Sequence, residues 1–359
     1  MASSLNRLLA AEPRSICMIK PSALGDVIQT LPLLQVLRSR FPQASITWVI
    51  GSASENLIET HPLIDRRITF HRRGGWPGWK SLLAELNAAR FDLVFDFQGL
   101  LRTGVMTLAT RAHTRVGLES AREGSHLACN VVLPDTGRLV PASRRYWRLA
   151  DILGQGQVPQ DAGITLTADD RAFAEQHLGH ISRPVVAIHA GAKWVTKRWS
   201  PTGFAAVAMR AARSHDFLPV IVGGPDEKQL AATITNTIAD AFPRAAPLNL
   251  AGQTTLRQLA AILQRADVML SNDSGPMHLA AAMGTPVCGI FLCTDSERSG
   301  PAGPQHQFAT TQLECAGSYR KKCPHSGRDC MACKDELTVD RVWTTFEQTL
   351  APTAQRDVA

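Results

Sequence analysis

The first half of the chain alternates short apolar runs of strand length with longer stretches in which apolar residues recur at helical spacing. The stretch from Val27 to Leu37 has that helical spacing, and Pro32 within it is expected to kink the helix. The predicted strands are Ile16–Lys20, Ser45–Ile50, Asp65–Phe70 and Asp92–Phe97, and the predicted helices are Val27–Arg40, Trp79–Arg90 and one that follows Arg102. This alternation with short loops indicates an α/β domain with a mostly parallel sheet.

The pattern breaks around Val158–Thr167, where Gly, Gln, Pro and Asp replace the apolar runs, and then it restarts. The second half has predicted strands at Val185–His189, Leu218–Val222, Leu248–Leu250, Asp267–Ser271 and Val287–Leu292, and predicted helices at Pro201–Ser214, up to about Ala241, at Thr255–Gln264 and at Met277–Met283. Both halves begin with strand, polar loop, helix and strand. We therefore predict two facing Rossmann-like domains, residues 1–165 and 166–359, with a ligand cleft at the carboxyl ends of both sheets.

The most distinctive stretch is ADVMLSNDSGPMHLAAAMGTPVCGIFL, residues 266–292, which has the pattern strand, tight turn, short helix, strand. Asn272–Gly275 has turn chemistry, and Pro276 suits the first helical position. Asp273 or Ser274 can cap the helix. The backbone amides at the start of such a helix can hold an anion, most often phosphate. An ordinary βαβ turn with a good cap explains this stretch equally well.

The loop after the first strand, Lys20–Asp26, ends in a carboxylate. Asp26 could act as a general base that deprotonates a substrate hydroxyl, or it could simply cap the following helix. Gly25 would let the backbone approach a ligand closely. Both roles of Asp26 stay open at this point.

The loop after the strand Val185–His189 carries basic residues among two tryptophans. Lys193, Lys197 and Arg198 could neutralise a diphosphate without a metal ion, or they could belong to an ordinary basic surface loop. After another strand end, Glu227 or its neighbour Asp226 could bind ribose hydroxyls or cap a helix.

In the turn after Asp267–Ser271, Asp273 would repel a phosphate, so we expect it to cap the helix or to bind sugar hydroxyls. Ser274 and the amides from Gly275 onward are expected to meet the phosphates. His278, one helical turn after Ser274, either faces the same ligand or is a buried structural histidine. The sequence has no G-x-G-x-x-G fingerprint and no Walker A motif, which disfavours NAD, FAD and P-loop chemistry.

Composition and charge narrow the class of protein further. Hydrophobic residues make up 45% and charged residues 19%, which indicates a globular protein, and the net charge of +7 favours anionic partners. Nucleic acid is disfavoured, because like charges do not form a block and tyrosines are few. The N-terminus lacks the apolar core of a signal peptide, and the apolar run Leu279–Cys293 is broken by Gly284 and Pro286. We therefore expect a cytoplasmic protein.

Four motifs occur in the order typical of one family. They are KPSALGDVIQTLP at 20–32, DFQGLLRTG at 96–104 followed by RVG at 115–117, HAGAKWVTKRWSPTGF at 189–204, and NDSGPMHLAAAMGTPVCGIF at 272–291. Together they resemble the motifs of glycosyltransferase family 9, the lipopolysaccharide heptosyltransferases, over residues 16–343. The resemblance implies the GT-B fold, with an acceptor-binding first domain and a nucleotide-sugar-binding second domain that includes a Cys-rich segment, 315–333, and a C-terminal helix.

The resemblance also implies an inverting, metal-independent transfer of heptose from ADP-heptose to a sugar hydroxyl of the lipopolysaccharide inner core, with no cofactor. Asp26 falls at the family's catalytic base, Lys197 at its diphosphate-binding lysine and Glu227 near its ribose-binding acid. The remaining predicted site residues are Lys193, Asp273, Ser274, Gly275 and His278 on the donor side, and Ser22, Gly25, Gln98 and Arg102 on the acceptor side.

The implied partners are an ADP-sugar and a lipid-linked or core oligosaccharide. A monomer is expected, with peripheral contact at the inner face of the cell membrane. One alternative is a family member that uses another nucleotide sugar or acceptor, since Leu292-Cys293-Thr294 stands where the family usually has Gly-Pro-Thr. The other is a nucleotide-binding Rossmann protein without transferase activity.

Four of the eight cysteines crowd into one short segment: Cys315, Cys323, Cys330 and Cys333. A Cys-x-x-Cys pair with two further cysteines could hold zinc or iron in a structural site. The spacing is irregular, however, and reduced thiols or a local disulfide are the favoured interpretation. No metal is predicted to take part in the transfer.

Overall fold

A computed structural model describes residues 2–351 of the chain, which divides into two compact units, Met1–Thr165 and Leu166–Ala359. The division falls where the hydrophobic pattern breaks. Each unit contains a six-stranded sheet whose neighbouring strands are all parallel. Parallel sheets are covered on both faces, which explains why their strands appear in the sequence as near-continuous apolar runs.

The first unit has the strand order β3-β2-β1-β4-β5-β6. Its strands are β1 (Ser15–Ile19), β2 (Ser45–Gly51), β3 (Arg66–Phe70), β4 (Leu93–Asp96), β5 (Thr114–Leu118) and β6 (Val131–Leu133). Its helices are α1 (Ala2–Leu9), α2 (Leu24–Thr30), α3 (Leu33–Arg40), α4 (Glu55–Ile58), α5 (Gly75–Ala89), α6 (Leu101–Ala109) and α7 (Ala142–Ile152).

The second unit has the strand order β12-β11-β10-β7-β8-β9. Its strands are β7 (Val185–His189), β8 (Leu218–Ile221), β9 (Leu248–Asn249), β10 (Val268–Asn272), β11 (Val287–Phe291) and β12 (Gln307–Thr310). Its helices are α8 (Ala168–Leu178), α9 (Pro201–His215), α10 (Lys228–Ala241), α11 (Leu256–Arg265), α12 (Gly275–Ala282), α13 (Ser296–Ser299), α14 (Cys333–Glu336) and α15 (Val339–Leu350).

Taken from the opposite edge, the second sheet has the same strand order as the first, which is that of a Rossmann fold. The chain changes direction across the sheet between β1 and β4 in the first unit, and between β7 and β10 in the second. Ligands bind α/β sheets in the crevice at the carboxyl ends of the strands at such a switch point. Each of the four strands is followed by one of the polar loops singled out in the sequence.

The single helix predicted over Val27–Arg40 is wrong, because the structure has two helices, α2 and α3, separated at Leu31 and Pro32. Proline has no backbone N–H to continue the helical ladder, and here it stands at the N-cap of α3. The first helix also begins earlier than predicted, at Leu24, which places Asp26 in its first turn. Similarly, α5 begins at Gly75, four residues before the predicted start at Trp79.

Aromatic and aliphatic side chains fill the space between each sheet and its helices. In the second unit, Phe204 on α9 and Trp343 and Phe346 on α15 are buried. The rings of Trp343 and Phe346 stack with their centres 5.5 Å apart. Burying one such side chain stabilises a fold by roughly 1.5–3 kcal/mol, so these layers hold the strand ends in place. Within residues 2–351, the helices are too short or too polar to cross a membrane.

Candidate functional site

In the first unit, Lys20, Tyr146 and Asp26 form a connected polar group beside the end of β1. Lys20 is only 2% exposed, and its Nζ donates to the carbonyl of Phe97 at 3.0 Å and to Tyr146 Oη at 2.8 Å. Tyr146 Oη in turn donates to Asp26 Oδ1 at 2.9 Å, and Lys20 Nζ lies 4.0 Å from Asp26 Oδ2. The Asp26 side chain remains 36% exposed, so a substrate hydroxyl can reach it.

The surroundings of Asp26 favour its ionised form. Removal from water raises the pKa of its carboxyl, but four partners outweigh that effect and hold the pKa below its ordinary value. They are the Lys20 ammonium, the Tyr146 hydroxyl, the Ala23 amide and the Arg145 guanidinium. Burial lowers the pKa of Lys20, and the nearby Asp26 and Asp96 carboxylates oppose that shift. Asp26 is therefore a partly exposed carboxylate whose ionised form is favoured.

The loop between β4 and α6 supports the loop that carries Asp26. The amide of Ser22 donates to Gln98 Oε1 at 3.1 Å, while the amide of Gln98 donates to the buried Asp96 at 3.0 Å. Gly25, in the first turn of α2, is buried. The Nε atoms of Arg102 and Arg145 are buried and have no hydrogen-bond partner among the described residues. Arg67 and Arg148 likewise each have one buried guanidinium nitrogen without a partner among the described residues.

In the second unit, the loop after β7 meets the turn after β10 through an ion pair. Lys197 Nζ lies 2.6 Å from Asp273 Oδ2, and the ammonium also lies 4.9 Å from the centre of the Trp194 ring. Asp273 is buried, and a buried carboxylate needs a cation beside it. Asp273 is therefore paired with Lys197. The expectation that Asp273 caps α12 is wrong. Ser274 is the N-cap residue, without a capping bond from its side chain.

A second chain of contacts joins three strand ends of this unit. Ser274 Oγ lies 3.0 Å from His189 Nδ1, and His189 Nε2 lies 3.1 Å from Glu227 Oε2. Because a carboxylate only accepts, Nε2 carries the proton and Nδ1 faces Ser274. Burial raises the pKa of Glu227, but the hydrogen bond from His189 and the Gly224 amide outweigh it and hold the pKa below its ordinary value. The sequence predicted a role for Glu227 and Ser274 but not for the histidine that joins them.

The start of α12 is positioned by the residue that ends β10. Asn272 donates to the carbonyl of Ala190 at 2.7 Å and accepts from the amide of Trp199 at 3.1 Å, so both sides of the β7 loop are tied to it. The amides at the start of α12, from Gly275 onward, have no carbonyl partner within the helix. Together with Lys197, this helix terminus can hold an anion.

Two other predicted donor residues lie in different surroundings. Lys193 is exposed in the loop after β7. His278 is buried on α12, and together with burial it lowers the pKa of the neighbouring His306 to about 4. In the first unit, the Arg66 guanidinium donates to Glu85 Oε1 at 2.7 Å.

The Cys-rich segment packs behind the loop that carries Lys197. Cys315, Cys323 and Cys333 line one cavity with Thr196, and Cys330 is exposed. Thr196 Oγ1 donates to the carbonyl of Arg320 at 2.8 Å, which ties the segment to that loop. In the part of the chain that the structure describes, no three His, Cys, Asp or Glu side chains are grouped to hold a metal ion. All eight cysteines are free thiols.

Sequence reasoning missed three residues of these networks. Lys20 and His189 stand at the carboxyl ends of β1 and β7, where a polar residue after an apolar run is a usable signal. Tyr146 carries no such signal, because it lies on α7, 120 residues after Asp26.

Two units with Rossmann topology, each with polar side chains at its switch point, are the architecture of a GT-B glycosyltransferase. The family model of Glycosyltransferase family 9 (heptosyltransferase) matches residues 79–328. The chain belongs to this family.

Individual relatives agree with this assignment. The chain is 29% identical over 300 residues to the lipopolysaccharide core heptosyltransferase OpsX of Haemophilus influenzae. The aligned region covers 82% of this chain and 83% of the relative. The fold of this chain is similar to that of the family 9 glycosyl transferase of Veillonella parvula, with a TM-score of 0.79 and 23% identity. The match covers 94% of this chain and 98% of that one. For the Escherichia coli ADP-heptose lps heptosyltransferase II, the TM-score is 0.74 at 21% identity, over 95% and 99% of the two chains.

Proposed function

We propose that this enzyme transfers heptose from ADP-heptose to a hydroxyl of the lipopolysaccharide inner core, with inversion and without a metal ion. The observation that carries the proposal is the network that keeps Asp26 ionised yet exposed. Asp26 takes the proton of the acceptor hydroxyl as its oxygen attacks the anomeric carbon of heptose. The bond from that carbon to the diphosphate breaks on the opposite face, and ADP departs with the electron pair.

The second unit is proposed to bind the donor. Lys197 and the start of α12 would stabilise the negative charge that develops on the departing ADP. Glu227, oriented by His189 and the Gly224 amide, would accept hydrogen bonds from ribose hydroxyls. Lys197 and the positive end of α12 would meet the diphosphate without a metal ion, which supports the metal-independent form of the proposal.

The first unit is proposed to bind the acceptor. Core glycans carry carboxylates and phosphates, and the guanidinium groups of Arg102 and Arg145 are of the kind that binds such anions. Arg145 also lies close enough to Asp26 to lower the pKa of its carboxyl. An anionic acceptor bound there would therefore raise the pKa of Asp26 and make it a stronger base when the substrate is present.

The Asp26→Asn variant tests the catalytic role. The amide keeps the size of the side chain but cannot accept a proton, so turnover should fall by about two or more orders of magnitude while ADP still binds. Asp135→Asn, at an exposed carboxylate that pairs with Arg148, is the matched control and should keep normal turnover. Unchanged turnover in Asp26→Asn would contradict the mechanism.

The donor class is tested separately by thermal shift with ADP- and UDP-sugars. ADP-heptose should raise the melting temperature most, since a ligand that binds only the folded state stabilises it. A larger shift with a uridine nucleotide would favour the alternative that this family member uses another donor.

A further inference from the structure

Helix α6 carries an exposed apolar stripe. Leu101 is 58%, Val105 37% and Leu108 53% exposed. Their spacing of four and three residues places them on one stripe of the helix. The opposite face buries Met106 together with Thr103 and Thr107. A surface helix normally buries its apolar stripe. An exposed apolar stripe is typical of a surface that binds another molecule.

Two neighbouring elements extend the stripe. Leu127, 80% exposed, lies in the turn Ser125–Ala128, which is held against α6 by hydrogen bonds from the amide of Arg122 to Gly99 O (2.8 Å) and from the amide of Leu101 to Glu123 (3.1 Å). Trp76, 66% exposed, lies in the first turn of α5, the helix that packs beside α6. We call these five side chains the apolar patch: Trp76, Leu101, Val105, Leu108 and Leu127.

Cations border the apolar patch on the side of Trp76. The segment His71–Lys80 contains Arg72, Arg73 and Lys80, all exposed, and no acidic residue. Lys80 Nζ lies 5.7 Å from the centre of the Trp76 ring. Exposed Trp and Leu side chains next to Arg and Lys are suited to the interface of a membrane with anionic headgroups, where the apolar groups insert and the cations meet phosphate.

The apolar patch begins beside the loop of the proposed base. Leu101 is three residues after Gln98, whose side chain accepts the hydrogen bond from Ser22 in that loop. Both α5 and α6 begin at the carboxyl edge of the sheet, the edge at which Asp26 lies. We propose that the apolar patch docks the first unit on a bilayer containing anionic phospholipid, so that a lipid-linked acceptor reaches Asp26 from the membrane surface. The delivery of a lipid-linked acceptor to Asp26 rests on the proposed function.

Sedimentation of the full chain with phosphatidylcholine vesicles, with and without phosphatidylglycerol, tests the proposal. The wild type should bind the anionic vesicles, and added salt should weaken the binding. The triple variant Leu101→Ser, Leu108→Ser, Leu127→Ser should bind at least about tenfold more weakly, because three apolar side chains no longer insert. Leu139→Ser, at a leucine that is 87% exposed outside the apolar patch, is the control and should bind like the wild type.

Arg72→Gln with Arg73→Gln should weaken binding to anionic vesicles and reduce its salt dependence. Equal vesicle binding by the triple variant and the wild type would overturn the proposal, as would a wild type that binds neither kind of vesicle. Loss of self-association in the triple variant, with vesicle binding unchanged, would assign the patch to a second copy of the chain instead.

These outcomes are independent of the proposed function, because vesicle binding requires no transferase activity. The triple variant should transfer heptose to a deacylated, soluble core acceptor within about twofold of the wild-type rate, and should lose activity only on acceptor embedded in vesicles. Vesicle binding without any heptose transfer would contradict the proposed function and leave the docking surface standing.

Discussion

The Tyr146 hydroxyl connects a buried cation to an exposed carboxylate, accepting from Lys20 Nζ at 2.8 Å and donating to Asp26 Oδ1 at 2.9 Å. Burial and the Asp26 carboxylate raise the pKa of Tyr146, so the phenol keeps the proton that it donates. A hydroxyl can donate and accept at once, whereas a phenyl ring does neither. Tyr146 thus positions the Asp26 carboxylate, and its effect is separable from the proton transfer proposed for Asp26.

Tyr146→Phe should move the acid limb of the pH profile of kcat/KM to higher pH. The mutation removes a hydrogen bond that favours the carboxylate, so the pKa of Asp26 rises. Activity then disappears at a higher pH as the solution is acidified. Tyr319→Phe, which removes the hydroxyl that contacts Ser299, is the control and should leave the profile unchanged. A profile that does not move in Tyr146→Phe would show that Asp26 does not depend on this bond.

Lys197→Ala should weaken ADP binding by about tenfold to a hundredfold, because a charge-assisted contact to the diphosphate is lost. Calorimetric titration with ADP measures the effect. The variant also leaves the buried Asp273 carboxylate without its cation, so Lys197→Ala with Asp273→Asn should melt at a higher temperature than Lys197→Ala alone. Lys80→Ala, in the first unit, should bind ADP normally, and wild-type affinity in Lys197→Ala would exclude this lysine from the donor site.

Glu227→Gln should reduce the ability of the enzyme to distinguish ADP from its 2′,3′-dideoxy analogue. If the carboxylate accepts from ribose hydroxyls, the wild type prefers ADP by about tenfold or more, and an amide provides one acceptor in place of two. Competition of the two ligands in the wild type and the variant is the measurement. Asp226→Asn, at the exposed neighbouring carboxylate, should keep the wild-type ratio. An unchanged ratio in Glu227→Gln would place the ribose elsewhere.

Gly51→Ala and Gly78→Ala should change stability in opposite directions. A Cβ on Gly51 would lie 2.4 Å from the backbone oxygen of Pro21, at the start of the loop that carries Asp26, so the loop must shift at a cost of about 1–3 kcal/mol. A Cβ on Gly78 in α5 would meet open space, and alanine there should stabilise the helix by roughly 0.5–1 kcal/mol. Thermal unfolding compares the two variants. A Gly51→Ala protein as stable as the wild type would contradict the close contact.

Much of the fold is visible in the sequence because parallel strands are buried on both faces. Strands such as β7 and β10 therefore appear as apolar runs, and a polar residue after each run marks its carboxyl end. The ends of helices were less predictable. Hydrophobic periodicity continues through Pro32, and only the chain geometry shows that α2 stops before it and α3 starts after it.

The sequence by itself determined the paired Rossmann topology and the loops that carry Asp26, Lys197 and Glu227, because these depend on local patterns and on motif order. The partners of those residues were decided by tertiary structure. Tyr146 reaches Asp26 across 120 residues and Lys197 reaches Asp273 across 76, and nothing in a local pattern specifies such pairs. A buried charge is stable only when the whole fold brings a counter-charge or a hydrogen bond to it, so the state of the proposed base is a property of the packed unit.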